Sequence, residues 1–194
     1  MRIVLYVFSH HPYPQIIGLD SVRVQSNHTQ IQNTLRTHFD RINEIPMFKG
    51  SIKVFIPESN LANEASHMSN MISSMGDVRV YWQKNDRPGV LKTHHITNDY
   101  QFVFNSRLKS QSIWFDEQFF TTTPGKTEVQ IKGMLREQLE RYHYEYLEAR
   151  TVHGNPRQTI TGKMGSGMQD DLAIATLMAP YWGRIALRDL ARLF

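Results

Sequence analysis

A chain of 194 residues that is 40% hydrophobic, with eleven glycines and eight prolines, has the material for one sizeable core and is neither disordered nor fibrous in composition. With no cysteine, disulfides, thiol catalysis and thiolate-ligated zinc are excluded, and a net charge of +4 is only a slight lean toward an anionic partner. The longest apolar runs, Ile3–Phe8 and Leu172–Trp182, fall short of the roughly 20 residues that span a bilayer, and Met1-Arg2 leads straight into a β-branched run without a small-residue cleavage site. No transmembrane helix and no secretory leader are expected, which points to an intracellular protein.

Ile3–Phe8 and Ile16–Val24 are rich in Val, Ile, Leu and Tyr, and His10-His11-Pro12-Tyr13-Pro14 between them cannot continue a strand, so the two runs read as an antiparallel hairpin. From Asn27 the period changes. Ile31, Leu35, Phe39, Ile42 and Ile45 form the stripe of an amphipathic helix that Pro46 stops. Ile52–Ile56 is the next strand. Ala62–Met75 carries Ala65, Met68, Ile72 and Met75 on one helical face and ends at Gly76, and Val78–Trp82 is a further strand. A helix around Asp99–Lys109, a short strand at Ser112–Phe115 and a long helix carrying Ile131, Leu135, Leu139, Tyr142 and Tyr146 follow. This order predicts a single α/β domain over residues 1–194, a mixed sheet with helices on its faces.

The densest chemistry lies in Thr159–Pro180, T-I-T-G-K-M-G-S-G-M-Q-D-D-L-A-I-A-T-L-M-A-P, where a glycine-rich turn delivers Asp170 and Asp171 to the start of an apolar helix. Taken alone, such aspartates are first a helix cap, because they accept orphan amide protons and suit the positive end of the helix dipole. Adjacent carboxylates also repel each other unless a cation, protons or water offset the charge. Active groups of α/β sheets tend to sit at strand ends, and Glu58 follows Ile52–Ile56 and Pro57 at such an end. A strand-end glutamate and a helix-opening Asp-Asp together supply hard oxygen ligands suited to Mg²⁺ or Mn²⁺. By itself Glu58 reads as an exposed loop glutamate.

Other features carry less. Pro124-Gly125-Lys126-Thr127 precedes a helix as a phosphate-binding loop does, but Phe120 occupies a required glycine position and Pro124 removes an amide donor, so no ATPase is expected. His10-His11 and His94-His95 have no companion at zinc spacing and, read as strand neighbours, point to opposite faces. Lys163 lies between Gly162 and the aspartates, where it either contacts a phosphate or is a solvated loop lysine. Arg184, Arg188 and Arg192 recur every four residues on one helix face. A solvated face is the simpler account of that row, and a DNA or subunit contact the functional one.

K-V-F-I-P-E-S-N-L-A-N-E-A (Lys53–Ala65) resembles the strand, acidic residue and helix start of the nuclease domain of herpesvirus-type terminase large subunits, and T-G-K-x-x-G-x-x-x-D-D-L (Thr161–Leu172) resembles its closing motif. Val78–Gln83 and the long helix before Thr151 fall between them in the order the family shows. The resemblance implies a ribonuclease-H-like fold and a metal-dependent endonuclease that cuts concatemeric viral DNA into genome lengths. It further implies two Mg²⁺ or Mn²⁺ ions held by Glu58 with Asp170 and Asp171, double-stranded viral DNA as substrate, other terminase subunits and the capsid portal as partners, and the host cell nucleus as location. The family pattern has one more aspartate on the first strand of the sheet. Residues 1–19 contain no acidic side chain, and Asp20 lies too close to the Asn27 helix to take that place. The expectation is therefore a C-terminal piece of a longer protein that lacks the first catalytic strand, with weak activity on its own. From another class, a noncatalytic DNA-docking or packaging-assembly module that keeps the fold is the alternative.

Overall fold

Two strands form the expected hairpin: β1 (Arg2–Ser9) and β2 (Gln15–Arg23) pair antiparallel from Arg2↔Arg23 to Ser9↔Gln15, with a register shift between Val7 and Phe8. The computed structural model describes residues 2–9, 15–23, 28–51, 53–58, 62–74, 78–82, 88–90, 94–147, 157–161 and 170–191. His10-His11, Gly76, Lys163, Arg192 and the glycine-rich turn at 162–169 lie outside them. β2 is buried along Ile16–Ser21, as befits a strand covered on both faces. Ile16 and Leu19 enter the main core, whereas Ile17 joins Ile42, Ile45 and Phe120 in a satellite core.

Parallel to β2 runs β5 (Trp114–Phe120). The sequence reading stops this strand at Phe115, before the acidic Asp116-Glu117; in the structure it continues to Phe120. The last two residues explain the difference, since successive side chains of a strand face opposite ways. Phe119 is buried in the main core and Phe120 in the satellite core, so both faces of the strand's end hold it in place.

The helix α1 (His28–Glu44) buries Leu35 and Ile42 on the expected stripe, which Ile45 continues just past its end, with Phe39 half-buried beside them. Leu35 meets Ile72 of α2 (Ala62–Ser73) and Val78 of β4 (Val78–Val80) in a second core. β4 pairs in parallel with β3 (Lys53–Phe55), Lys53↔Val78 through Phe55↔Val80. α3 (His94–Lys109) starts five residues earlier than the sequence reading has it, because Ile96, Tyr100 and Phe104 already recur at helical spacing against the core. His94 and His95 therefore open a helix and do not flank a strand.

The long helix is the largest correction. α4 (Glu128–Glu140) is 13 residues long and closes with Arg141, whose amide reaches back to the Glu137 carbonyl. Tyr142 and Tyr146 are not on its stripe. His143–Leu147 forms β6, antiparallel to β7 (Arg157–Thr161). The run H-Y-E-Y-L alternates polar and apolar with a period of two, which overrides the helical spacing of its tyrosines. Finally α5 (Asp171–Ala191) sinks Leu172, Ala173, Leu177, Trp182 and Ala186 into the interior, packing against α3, α4, β1 and β3. The described strands form β1-β2-β5, a mixed sheet as expected, together with the pairs β3-β4 and β6-β7. α5 bridges the first two. Among the described residues no helix is long and apolar enough to cross a membrane.

Candidate functional site

Past Phe55 and Val80 the parallel strands β3 and β4 separate. The last direct bond between them runs from the Tyr81 amide to the Phe55 carbonyl at 2.9 Å. Beyond it Gly89-Val90 enters the gap: the Gly89 amide donates to the Tyr81 carbonyl at 2.7 Å, and the Val90 amide to the Pro57 carbonyl at 2.9 Å. Glu58 thus pairs with Val90 on one prong of a fork, and Trp82 pairs with Gly89 on the other. Both prongs end exposed, with Trp82 49% accessible. Val90 is fully buried, in the same core as Leu172 and Leu177. Glu58 stands where the sequence puts it, at a strand end, with its backbone anchored to that core.

Asp170 and Asp171 begin α5. The Asp170 carbonyl accepts the Ile174 amide at 2.9 Å, which makes Asp170 the cap residue by position and Asp171 the first helical residue. A capping side chain here would take the amides of the second and third helical residues, Leu172 and Ala173. Those amides donate instead to Gln138 Oε1 of α4, at 2.9 and 3.1 Å. The simplest structural role of the Asp170 carboxylate is therefore performed by another residue. Asp170 is only 3% exposed and Asp171 half-buried.

Four residues after Gln138, past the end of α4, comes Tyr142, whose hydroxyl is buried and has no hydrogen-bond partner among the described residues. Its ionisation is pushed up by burial first, then by the charges of Asp170 and Glu58. A strand-end glutamate and a helix-start aspartate thus bear on the same phenol. Glu58 also acts on Tyr100, which burial pushes up most strongly and to which Trp182 Nε1 donates a hydrogen bond that opposes the rise. Tyr100, Tyr181 and Trp182 pack edge to face, and Trp182 meets Tyr81 of the fork at 6.1 Å between ring centroids.

Asp20 is elsewhere and fully committed. It is completely buried on β2, bonded to His38 Nδ1 of α1, to the Thr121 hydroxyl at 2.8 Å, to the Thr122 amide and hydroxyl, and to the Thr123 hydroxyl at 3.2 Å. Burial would raise its pKa, but the bond and charge of His38 and the threonine hydroxyls prevail and bring it to about 2. This carboxylate fastens β2, α1 and the end of β5 together.

Of the arginine row, Arg184 and Arg188 are exposed on α5. Arg188 bonds Asp189 through Nε and Nη2 at 3.2 and 3.1 Å. The nearby Arg107 is lowered by burial and then by the like charge of Arg184. Pro124-Gly125 is a turn before a capping box at Thr127 and Gln130, so it serves as a helix start.

Carboxylate oxygens are the right donors for Mg²⁺ or Mn²⁺. Among the described residues, however, no group of three or more His, Asp or Glu side chains could hold a metal ion. The donor set fits in chemistry and is short in number. Sequence reasoning missed Gln138, Tyr142 and Gly89. Gln138 was detectable as a polar residue on the stripe of Ile131 and Leu135, and Pro88-Gly89 as a turn dipeptide. Tyr142 was obscured by its helical spacing from Leu135 and Leu139.

No protein-family model and no curated protein matches the chain. Solved structures do match. The Mn-soaked human cytomegalovirus terminase nuclease domain superimposes with a TM-score of 0.64 at 16% identity, covering 92% of this chain and 76% of that one. The same domain, Mn-soaked with inhibitor bound, gives 0.64 at 16% over 93% and 76%, and a further structure of it gives 0.65 at 16% over 92% and 74%. At this identity the likeness is one of architecture, and the chain is a mixed α/β domain with the fold of the human cytomegalovirus terminase nuclease domain.

Proposed function

We propose that this chain is the nuclease domain of a viral DNA-packaging terminase, a divalent-metal-dependent endonuclease that cuts concatemeric duplex DNA. The observation that carries the reading is the architecture shared with the terminase nuclease domain over 92% of this chain, within which Glu58 stands at a strand end and Asp170 and Asp171 at a helix start. Glu58, Asp170 and Asp171 are the residues that would hold Mg²⁺ or Mn²⁺, two ions in the full reading. Bound there, such ions supply an activated water and stabilise the leaving oxygen of a phosphodiester. The neighbours' Mn-soaked state supports the choice of metal. Of this chain's own groups, Arg184 and Lys163 offer charge to phosphates. Other terminase subunits and the portal as partners, and the host nucleus as location, belong to the same reading.

A second reading has its own observation. The described residues do not complete a three-ligand metal group, which suits a DNA-docking or assembly module that keeps the nuclease fold. One experiment separates the two. Duplex DNA is incubated with Mn²⁺ and either this chain or this chain preceded by a strand bearing one more aspartate. Weak cleavage by the first, stronger cleavage by the second and loss of both on Glu58→Ala are expected. Cleavage indifferent to Glu58→Ala and Asp170→Ala overturns the enzyme reading. DNA binding without metal-dependent cleavage by either protein establishes the docking module.

A further inference from the structure

Gly89 occupies a place that no other residue type fits. Its φ is +83°, in the region that L side chains rarely adopt. A Cβ there would lie 2.1 Å from the Pro57 carbonyl oxygen and 2.7 Å from Pro57 Cγ. Those atoms belong to the residue immediately before Glu58, and the same Pro57 carbonyl accepts the Val90 amide at 2.9 Å. Gly50, by comparison, has φ +72° but nothing within 4 Å of its would-be Cβ. Strain alone therefore does not distinguish Gly89; contact with the backbone that carries Glu58 does.

The rest of the wedge gives the contact its meaning. Gly89 bonds the Tyr81 prong, and the Tyr81 hydroxyl donates to Asp189 of α5 at 3.3 Å. Val90 is buried in the core that also holds Leu172, the second residue of α5. One two-residue insert thus ties the backbone of Glu58 to the helix whose start bears Asp170 and Asp171.

From this we infer that Gly89-Val90 is a positioning element, setting the separation between the Glu58 carboxylate and the start of α5 by close packing of the Gly89 backbone on Pro57. The inference rests on the metal-site reading for its functional consequence. Its geometric content stands without metal. Positioning of this kind, acting through a ligand's supports, typically changes metal affinity by roughly 10–100-fold when lost.

The test compares the wild-type chain with Gly89→Ala, with Gly50→Ala as a control for φ strain, and with a chain in which the Val90 amide is replaced by an ester. The ester removes one hydrogen bond and adds no atom to the packing, so it serves if Gly89→Ala does not fold. In metal-free protein, the ¹³C shift of the Glu58 carboxyl should move in Gly89→Ala and in the ester and stay in Gly50→Ala. With Mn²⁺, broadening of the Asp171 amide should persist in every variant. Broadening at Glu58 should need roughly tenfold more Mn²⁺ in Gly89→Ala and the ester. A Glu58 carboxyl that shifts equally in Gly50→Ala, or in none of the variants, overturns the positioning role. If wild-type protein shows no Mn²⁺ broadening at Glu58 or Asp171, the metal reading fails, and the metal-free carboxyl shift still decides the role of the wedge.

Discussion

The side-chain oxygen of Gln138 accepts the backbone amide of Leu172 at 2.9 Å, between two helices and across 34 positions of sequence. A second bond from Ala173 at 3.1 Å makes Gln138 a cap supplied to α5 from α4. Asp170 holds the cap position, yet the amides a cap residue would take are occupied by a residue from another helix. A carboxylate at this end of a helix is stabilised by the positive end of the helix dipole.

Removal of that oxygen by Gln138→Ala should leave two buried amides unsatisfied, at a cost of about 1–3 kcal/mol. For a domain of this size the melting temperature should fall by about 2–4 °C per kcal/mol. The Asp170 side chain should then turn to the vacant amides, and Mn²⁺ affinity should drop with stability. Calorimetry of both quantities checks this; an unchanged melting temperature would show that the cap carries no energy.

Asp20 predicts an acid-sensitive component of stability. Its folded pKa is depressed to about 2 from an ordinary 3.8, so its contribution is fully present above pH of about 4 and is lost as the pH falls toward 2. Asp20→Asn should flatten the stability curve in that window. At neutral pH it should also destabilise the protein by about 1–3 kcal/mol, because buried His38 and the threonine donors lose a charged hydrogen-bond partner. Chemical denaturation of both proteins between pH 2 and 7 measures the two effects together.

Phosphate contact should be graded along α5. Among the described residues no carboxylate pairs with Arg184, whereas that of Asp189 holds Arg188 at 3.1 Å. If Arg184 meets DNA, Arg184→Ala should weaken unrelated duplexes alike and reduce the salt slope by roughly one, and Arg188→Ala should do less. Equal affinities and slopes for both variants and the wild type would remove α5 from the DNA path.

Thr127 closes a capping box with Gln130, accepting the Gln130 amide at 3.3 Å while its own amide donates to Gln130 Oε1 at 2.9 Å. Thr127→Ala should destabilise the protein by about 1 kcal/mol. Nucleotides should protect neither protein against thermal unfolding, since this turn starts a helix and does not cradle phosphate. Protection of the wild type by ATP that Thr127→Ala removes would contradict that.

What the sequence determined by itself was local: the Val-, Ile- and Leu-rich runs of β1 and β2, the stripe of Leu35, Ile42 and Ile45, the strand end at Glu58 and the helix opened by Asp171 all follow from patterns a few residues long. Where two local patterns competed, tertiary packing chose. Tyr142 and Tyr146 fit a helical stripe, yet the chain leaves the helix at Arg141 because β7 offers the alternating run His143–Leu147 a partner strand. Phe120 extends β5 because a second core lies on its other face. The relationships that matter most to the site were beyond local reading, because each joins distant segments through one atom or one missing atom. Gln138 reaches α5, Tyr142 feels the charge of both carboxylates, and Gly89 fits against Pro57 only because it lacks a Cβ. Sequence records which residues can make such contacts, and the folded chain alone decides which of them meet.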